Sequence, residues 1–300
     1  MPDLLRTIRL ILFTAWAVIM TALTYVLGAP ALKVLRRRLG RAGYWALTTA
    51  IAASLVALGG TLLGVAFYSL SVLVGVFEEF EEIGLSFTVS AFFALLINAL
   101  LSAGAFALWV YSVGPRWSQT VTEFLQTTLK PVFELNPHLQ IGYQDLMGQL
   151  PSVALILWMI SIYVAVLLEG RLLMGKDTAA PVQTWPAMRP QLAALRLPDF
   201  CVWIFIVSLL GAFGEFELKV LQSLSINVLN VCIVLFFFQG IAVVAKFFES
   251  LRLGMVWQVL FMTIVVLQLF LFVSVLGLLD FWLGFRARIQ KRAGEFKREA

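Results

Sequence analysis

One histidine, two cysteines and a shortage of charge leave this chain little of the equipment that enzymes use. His138 is the only imidazole in 300 residues; it stands in Asn136-Pro137-His138 with no acid–base partner beside it and reads as a loop residue. Cys201 and Cys232 sit in apolar runs without a C-x-x-C spacing, which supports neither a disulfide framework nor a zinc site. No GxxxxGK[ST] phosphate loop, HExxH helix or GxSxG turn occurs. The expectation is a protein without catalysis, metal or cofactor. The net charge of +5 brings no folded basic surface with it, so nucleic acid is not an expected partner.

What is present is apolar. Hydrophobic residues make up 61% of the chain and charged ones 13%, with a mean hydropathy of +0.94. A soluble domain carries about 25% charged residues and is about half apolar. A helix rising ~1.5 Å per residue crosses a ~30 Å hydrocarbon core in about 20 residues, and runs near that length recur along the whole sequence. These features predict an all-α fold, a polytopic transmembrane helix bundle forming one domain over 1–300. The count is six to eight spans, with seven the best.

The spans are expected near 10–32, 44–77, 85–113, 151–170, 198–214, 224–247 and 255–285. Ala29-Pro30-Ala31 resembles a signal-peptide cleavage site, but cleavage there would require translocating Lys33, Arg36, Arg37, Arg38 and Arg41, so the first span is retained. The second run has 34 residues, ~51 Å as one helix, which exceeds the bilayer core. It must tilt, project or break at Gly59-Gly60; it is read as one pass, because a hairpin would place five basic residues outside. Small residues at four-residue spacing, such as Ala42, Ala46 and Ala50 or Gly60 and Gly64, suit close helix packing.

Segment 117–150 is the longest polar stretch. Val121, Phe124, Leu125 and Leu129 oppose Ser118, Gln119 and Thr122, which predicts an amphipathic cytoplasmic helix ending before Pro131. Pro151 is expected to open the fourth span. A basic C-terminal tail occupies 286–300. With seven spans and a cytoplasmic C-terminus, fourteen basic residues lie inside and eight outside, and the acidic stretch 78–82 falls outside. Anionic lipid is the expected contact of the basic cytoplasmic ends.

Polar residues inside the runs are the site candidates. On a helical wheel of 224–245, Asn227 and Asn230 share one face, while Gln239 points away from Asn230. An amide facing lipid leaves its donors and acceptors unpaired, so both faces need protein or a polar cavity against them. Asn98 stands near the middle of the third span. Asn98, Asn227, Asn230 and Gln239 are therefore candidate substrate-binding residues, with interhelical hydrogen bonding as the plainer reading. Asp280 closes the last span, where the helix dipole disfavours a negative charge. Arg286 and Arg288 are six and eight residues on, not the three or four that share a face, so a partner on another helix or loop, or a protonated carboxyl, is expected.

A family resemblance is carried by Asn227, by Gln239-Gly240 before an apolar turn, and by Gly277-Leu-Leu-Asp280-Phe-Trp282 leading into Phe285-Arg286. Leu197-Pro198-Asp199-Phe200 before an apolar run belongs with them. Over roughly 151–288 the chain resembles the YybS-like bacterial membrane proteins, a family similar to the substrate-binding components of energy-coupling-factor vitamin transporters. That resemblance implies a bacterial cytoplasmic-membrane protein and a class of function rather than a cargo. In the transporter relatives, alanine-rich stripes on the first helix dock the membrane coupling subunit. The functional expectation is a substrate-binding or transport subunit for a small molecule. The alternative is a non-catalytic scaffold or assembly partner of a larger membrane complex.

Overall fold

The computed structural model describes residues 2–135, 142–172, 192, 195–214, 219–250, 257, 260, 264–265 and 268–289. Among the described residues every regular element is helical: α1 (Pro2–Thr24), α2 (Gly28–Ala57), α3 (Thr61–Glu82), α4 (Phe87–Val113), α5 (Trp117–Leu135), α6 (Tyr143–Leu172), α7 (Phe200–Phe213), α8 (Lys219–Ser250) and α9 (Phe270–Leu283). Four stretches are helical, long and apolar enough to cross a membrane: Thr61–Glu82, Phe87–Pro131, Asp145–Glu169 and Lys219–Phe248. Shorter apolar helices cover Leu10–Thr24, Phe200–Phe213 and Phe270–Leu283. His138, most of 251–267 and most of the basic tail lie outside the described residues.

The N-terminal third departs most from expectation. A span over 10–32 is not continuous, because α1 stops at Thr24 and the chain turns back at Tyr25. The helix expected over 44–77 is two helices. Gly59, at φ 86, occupies the left-handed region that a side chain resists, and Gly60 starts the return. Helix α2 itself reverses at Gly40 (φ 70, ψ −179), so it comprises α2a (28–39) and α2b (41–57). The contacts fix the directions. Gly28 lies against Leu70 and Lys33 binds Glu81, so α2a runs parallel to α3. Trp45 covers Gly75, while Ala52 and Val56 cover Gly64, so α2b runs antiparallel to it.

α2a is the centre of the bundle. Every residue from Gly28 to Arg36 is buried, a helix enclosed on all sides. α1 packs antiparallel on it, with the Arg38 guanidinium 5.1 Å from the Phe13 ring and Thr21 against Gly28. α3 serves as a ruler: its 22 residues make ~33 Å, about one hydrocarbon core. The α1–α2a turn lies level with Leu70, twelve residues or ~18 Å short of the Glu82 end. Both arms of the hairpin thus run toward the Glu82 end of α3, and its tip lies about halfway along that helix. Its turn is wired for a place without water: the N–H groups of Tyr25, Val26, Leu27, Gly28 and Ala29 all find acceptors within the turn. Pro30 has no N–H to satisfy.

The remaining helices complete the wall. α3 and α4 are antiparallel, with Phe77 on Phe87 and Asn98 on Ser69. Helix α5 continues through Pro131 to Leu135, past its expected end, and α6 begins at Tyr143 with Pro151 inside it rather than opening it. α6 and α8 run parallel, Tyr163 stacking on Phe238 at 4.6 Å. α8 and α9 cross antiparallel at Gly240 and Gly277, where either glycine, given a Cβ, would overlap the other helix's backbone.

Candidate functional site

The basic stretch 33–41 and the acidic stretch 78–82, expected on opposite faces, lie at the same end of the bundle. The reversal at Gly40 and the hairpin at Gly59-Gly60 bring them together with Glu169 of α6. Lys33, fully buried, binds Glu78, lies 2.8 Å from Glu81 and 3.6 Å from Glu169, and sits 4.5 Å over the Phe77 ring. Arg37 binds Glu169 and reaches Glu78 at 3.1 Å and Glu81 at 3.7 Å. Arg36, also buried, reaches Glu79 at 3.1 Å and Glu82 at 2.8 Å. Arg41 forms the rim on Glu79 at 3.1 Å. At an effective dielectric of about 20, a pair 4 Å apart is worth ~4 kcal/mol, and stripping water from each ion costs several. The network is therefore a device that tolerates neither partner's loss, more than a source of net stability.

A second polar group lies near the middle of α3, at the tip of the hairpin. Trp158 Nε1 donates to the Tyr25 hydroxyl at 2.9 Å. The Tyr25 hydroxyl lies beside Ser69, and Asn98 Nδ2 donates to Ser69 Oγ at 3.2 Å. The chain Trp158–Tyr25–Ser69–Asn98 ties α6, the tip, α3 and α4 together. Tyr25 is held at φ 57, a conformation a bulky residue adopts only under constraint from its surroundings.

The amides of α8 have other work. Asn227 accepts from Ser152 N–H at 3.0 Å and donates to the Gly148 carbonyl at 2.7 Å. Those two groups are an i, i−4 pair next to Pro151, and the amide inserts between them, which lets α6 carry a proline in its interior. Gln239, 1% exposed, accepts from Leu197 N–H at 3.0 Å and donates to the Gly277 carbonyl at 2.9 Å, joining the start of α7 to α9. Asn230 is half-buried. Asn98, Asn227 and Gln239 thus sit on three separate helix contacts and are not gathered into one site.

Asp280 pairs with Arg286 after all, at 2.9 Å to Nε and 2.8 Å to the second guanidinium nitrogen. A six-residue spacing fails only on a continuous helix. Gly284, left-handed at φ 57, ends α9 and turns Arg286 back onto the carboxylate, and the same guanidinium donates to the Leu195 carbonyl at 2.7 Å.

Sequence reasoning missed Lys33, Arg36, Arg37, Glu78 and Glu169, reading them as loop or orientation charges. The available signal was two opposite runs of similar charge, 33–41 and 78–82, in a chain otherwise poor in charge. Among the described residues no group of three or more His, Cys, Asp or Glu side chains is placed to hold a metal ion. A shallow groove between α5 and α6 is lined by Ser118, Thr122, Gln126 and Met147. A family model described as a predicted membrane protein (DUF2232) matches residues 5–281. No curated protein and no solved structure matches the chain.

Proposed function

The chain belongs to the DUF2232 family of predicted membrane proteins, and from that premise we propose that it is a substrate-binding or transport subunit for a small molecule. The observation that carries this reading is α2a, a half-length helix buried on every face that brings Lys33 and Arg36 into the bundle. Charged residues within membrane bundles are costly and tend to mark solute or ion pathways. Hairpins that penetrate without crossing are likewise tolerated only where protein or a lined cavity encloses them. The working residues on this reading are the ion network and the Trp158–Tyr25–Ser69–Asn98 chain, rather than the amides of α8. The YybS-like resemblance points to the same class, with the driving ATPase or ion gradient supplied by another component. The membrane is the bacterial cytoplasmic membrane, and the C-terminus is cytoplasmic with anionic lipid at its basic tail.

Native mass spectrometry of protein released from detergent tests the reading. A small-molecule adduct is expected on the wild type and lost in Tyr25→Phe and Asn98→Leu. Spectra showing only bare and lipid-bound protein, with no ligand from a metabolite panel raising thermal stability, would contradict it. The scaffold reading rests on a specific observation of its own: Asn227 and Gln239 place their amides on the backbones of neighbouring elements. A bundle unaffected by any small molecule yet retrieved as a stoichiometric membrane complex would favour that alternative.

A further inference from the structure

We propose that the α1–α2a hairpin is a movable plug, latched shut by the ion network, whose release opens a path from that end of the bundle to the polar chain near the middle of α3. The inference rests on the transport reading and names the moving part. Three observations place it.

First, α2a fills the space between α1, α3 and α6, with residues as small as Gly28, Ala29 and Ala31 at its inner end. Withdrawing it, with Tyr25 at its tip, would leave a helix-sized opening that ends at Trp158, Ser69 and Asn98 on the surrounding helices.

Second, the two ends of the plug are held by different chemistry. The inner end rests on Tyr25, whose strained backbone favours leaving this conformation once the Trp158 and Ser69 contacts break. The outer end is held by charges. Lys33 and Arg37 on the hairpin meet Glu78 on α3 and Glu169 on α6, so one element is fastened to two walls at once. Lys33, Glu78 and Glu169 are sealed, while Arg37 at the rim is 42% exposed, so the latch passes from a paired state to a hydrated one once the rim opens. That is the bistability a gate needs.

Third, Gly40 supplies the hinge. It lies between the plug and α2b in a conformation that glycine adopts freely, with nothing within 4 Å of where a Cβ would stand.

The test reads motion and needs no ligand. Spin labels at Ile19 of α1 and Leu96 of α4, both exposed, are placed in a Cys201→Ala, Cys232→Ala background reconstituted in lipid. The proposal expects one distance in the otherwise unchanged protein and a second, longer population in Lys33→Gln/Glu78→Gln, which removes both charges of a pair together. A single unchanged distance in that variant overturns the plug, and so does a variant that unfolds outright, since release should leave the remaining helices packed. Hydrogen exchange on the unmodified protein provides the second measurement. Amides of 31–36 should exchange as one unit, about tenfold or more faster than those of 70–77 in α3; exchange of both only through global unfolding overturns the proposal. Failure here with a retained small-molecule adduct would reject the plug alone, whereas a moving plug in a protein that binds nothing would reject the transport reading.

Discussion

Two sets of buried polar side chains hold this bundle, and they differ in what they tolerate. At one end, α2a is fastened to α3 and α6 by ions that have lost most of their water. Elsewhere, α8 is joined to α6, α7 and α9 by two neutral amides, each bridging backbone groups. Removing an amide leaves hydrogen-bonding groups that can shift toward other partners in the helix, a loss averaging under about 1 kcal/mol per contact in membranes. Removing one ion leaves an uncompensated charge in a dry place, which costs ~3–5 kcal/mol. The amides behave as fixed joints, while the ions form a joint that is firm when complete and weak when any member is lost.

Lys33→Met should therefore produce the largest loss, about 3–5 kcal/mol in reversible unfolding from mixed micelles, because Glu78 and Glu169 lose a shared cation. A loss near zero would mean that water already reaches this pair. Gly277→Ala should follow at about 1–3 kcal/mol, since the new methyl overlaps the Phe236 carbonyl and forces α8 and α9 apart. Gln239→Leu should cost ~1–2 kcal/mol by the same assay, as the Leu197 N–H and Gly277 carbonyl lose their bridge. A cost equal to that of Lys33→Met would erase the distinction between the two kinds of joint. Arg41→Gln should be the mildest, below about 1 kcal/mol, because the guanidinium is 75% exposed and its pair is screened by solvent.

The sequence made the helices legible wherever an apolar run had the length of one span, as in α4, expected over 85–113 and found as Phe87–Val113. It also made Asn227 and Gln239 legible, because an amide in an apolar run must find a partner. It hid the reversals. Gly40 lies among arginines, Tyr25 carries no turn signature, and Gly59-Gly60 offered a break that the charge count argued against. That count assumed that basic residues near a helix end face headgroups; here four of the five in 33–41 bind carboxylates of α3 or α6 instead. Asp280 was misjudged for a related reason, since a spacing rule for continuous helices fails once Gly284 turns the chain.

The central claim, that the basic and acidic stretches share one end of the bundle, can be tested by labelling from each side of the membrane. Single cysteines at Ala42, Ile83 and Leu58, all exposed and in a background lacking Cys201 and Cys232, are treated with an impermeant thiol reagent on intact cells and on inverted vesicles. The structure predicts that Ala42→Cys and Ile83→Cys label from the same side and Leu58→Cys from the other. Labelling of Ala42→Cys and Ile83→Cys from opposite sides would separate the two stretches across the bilayer and contradict the ion network.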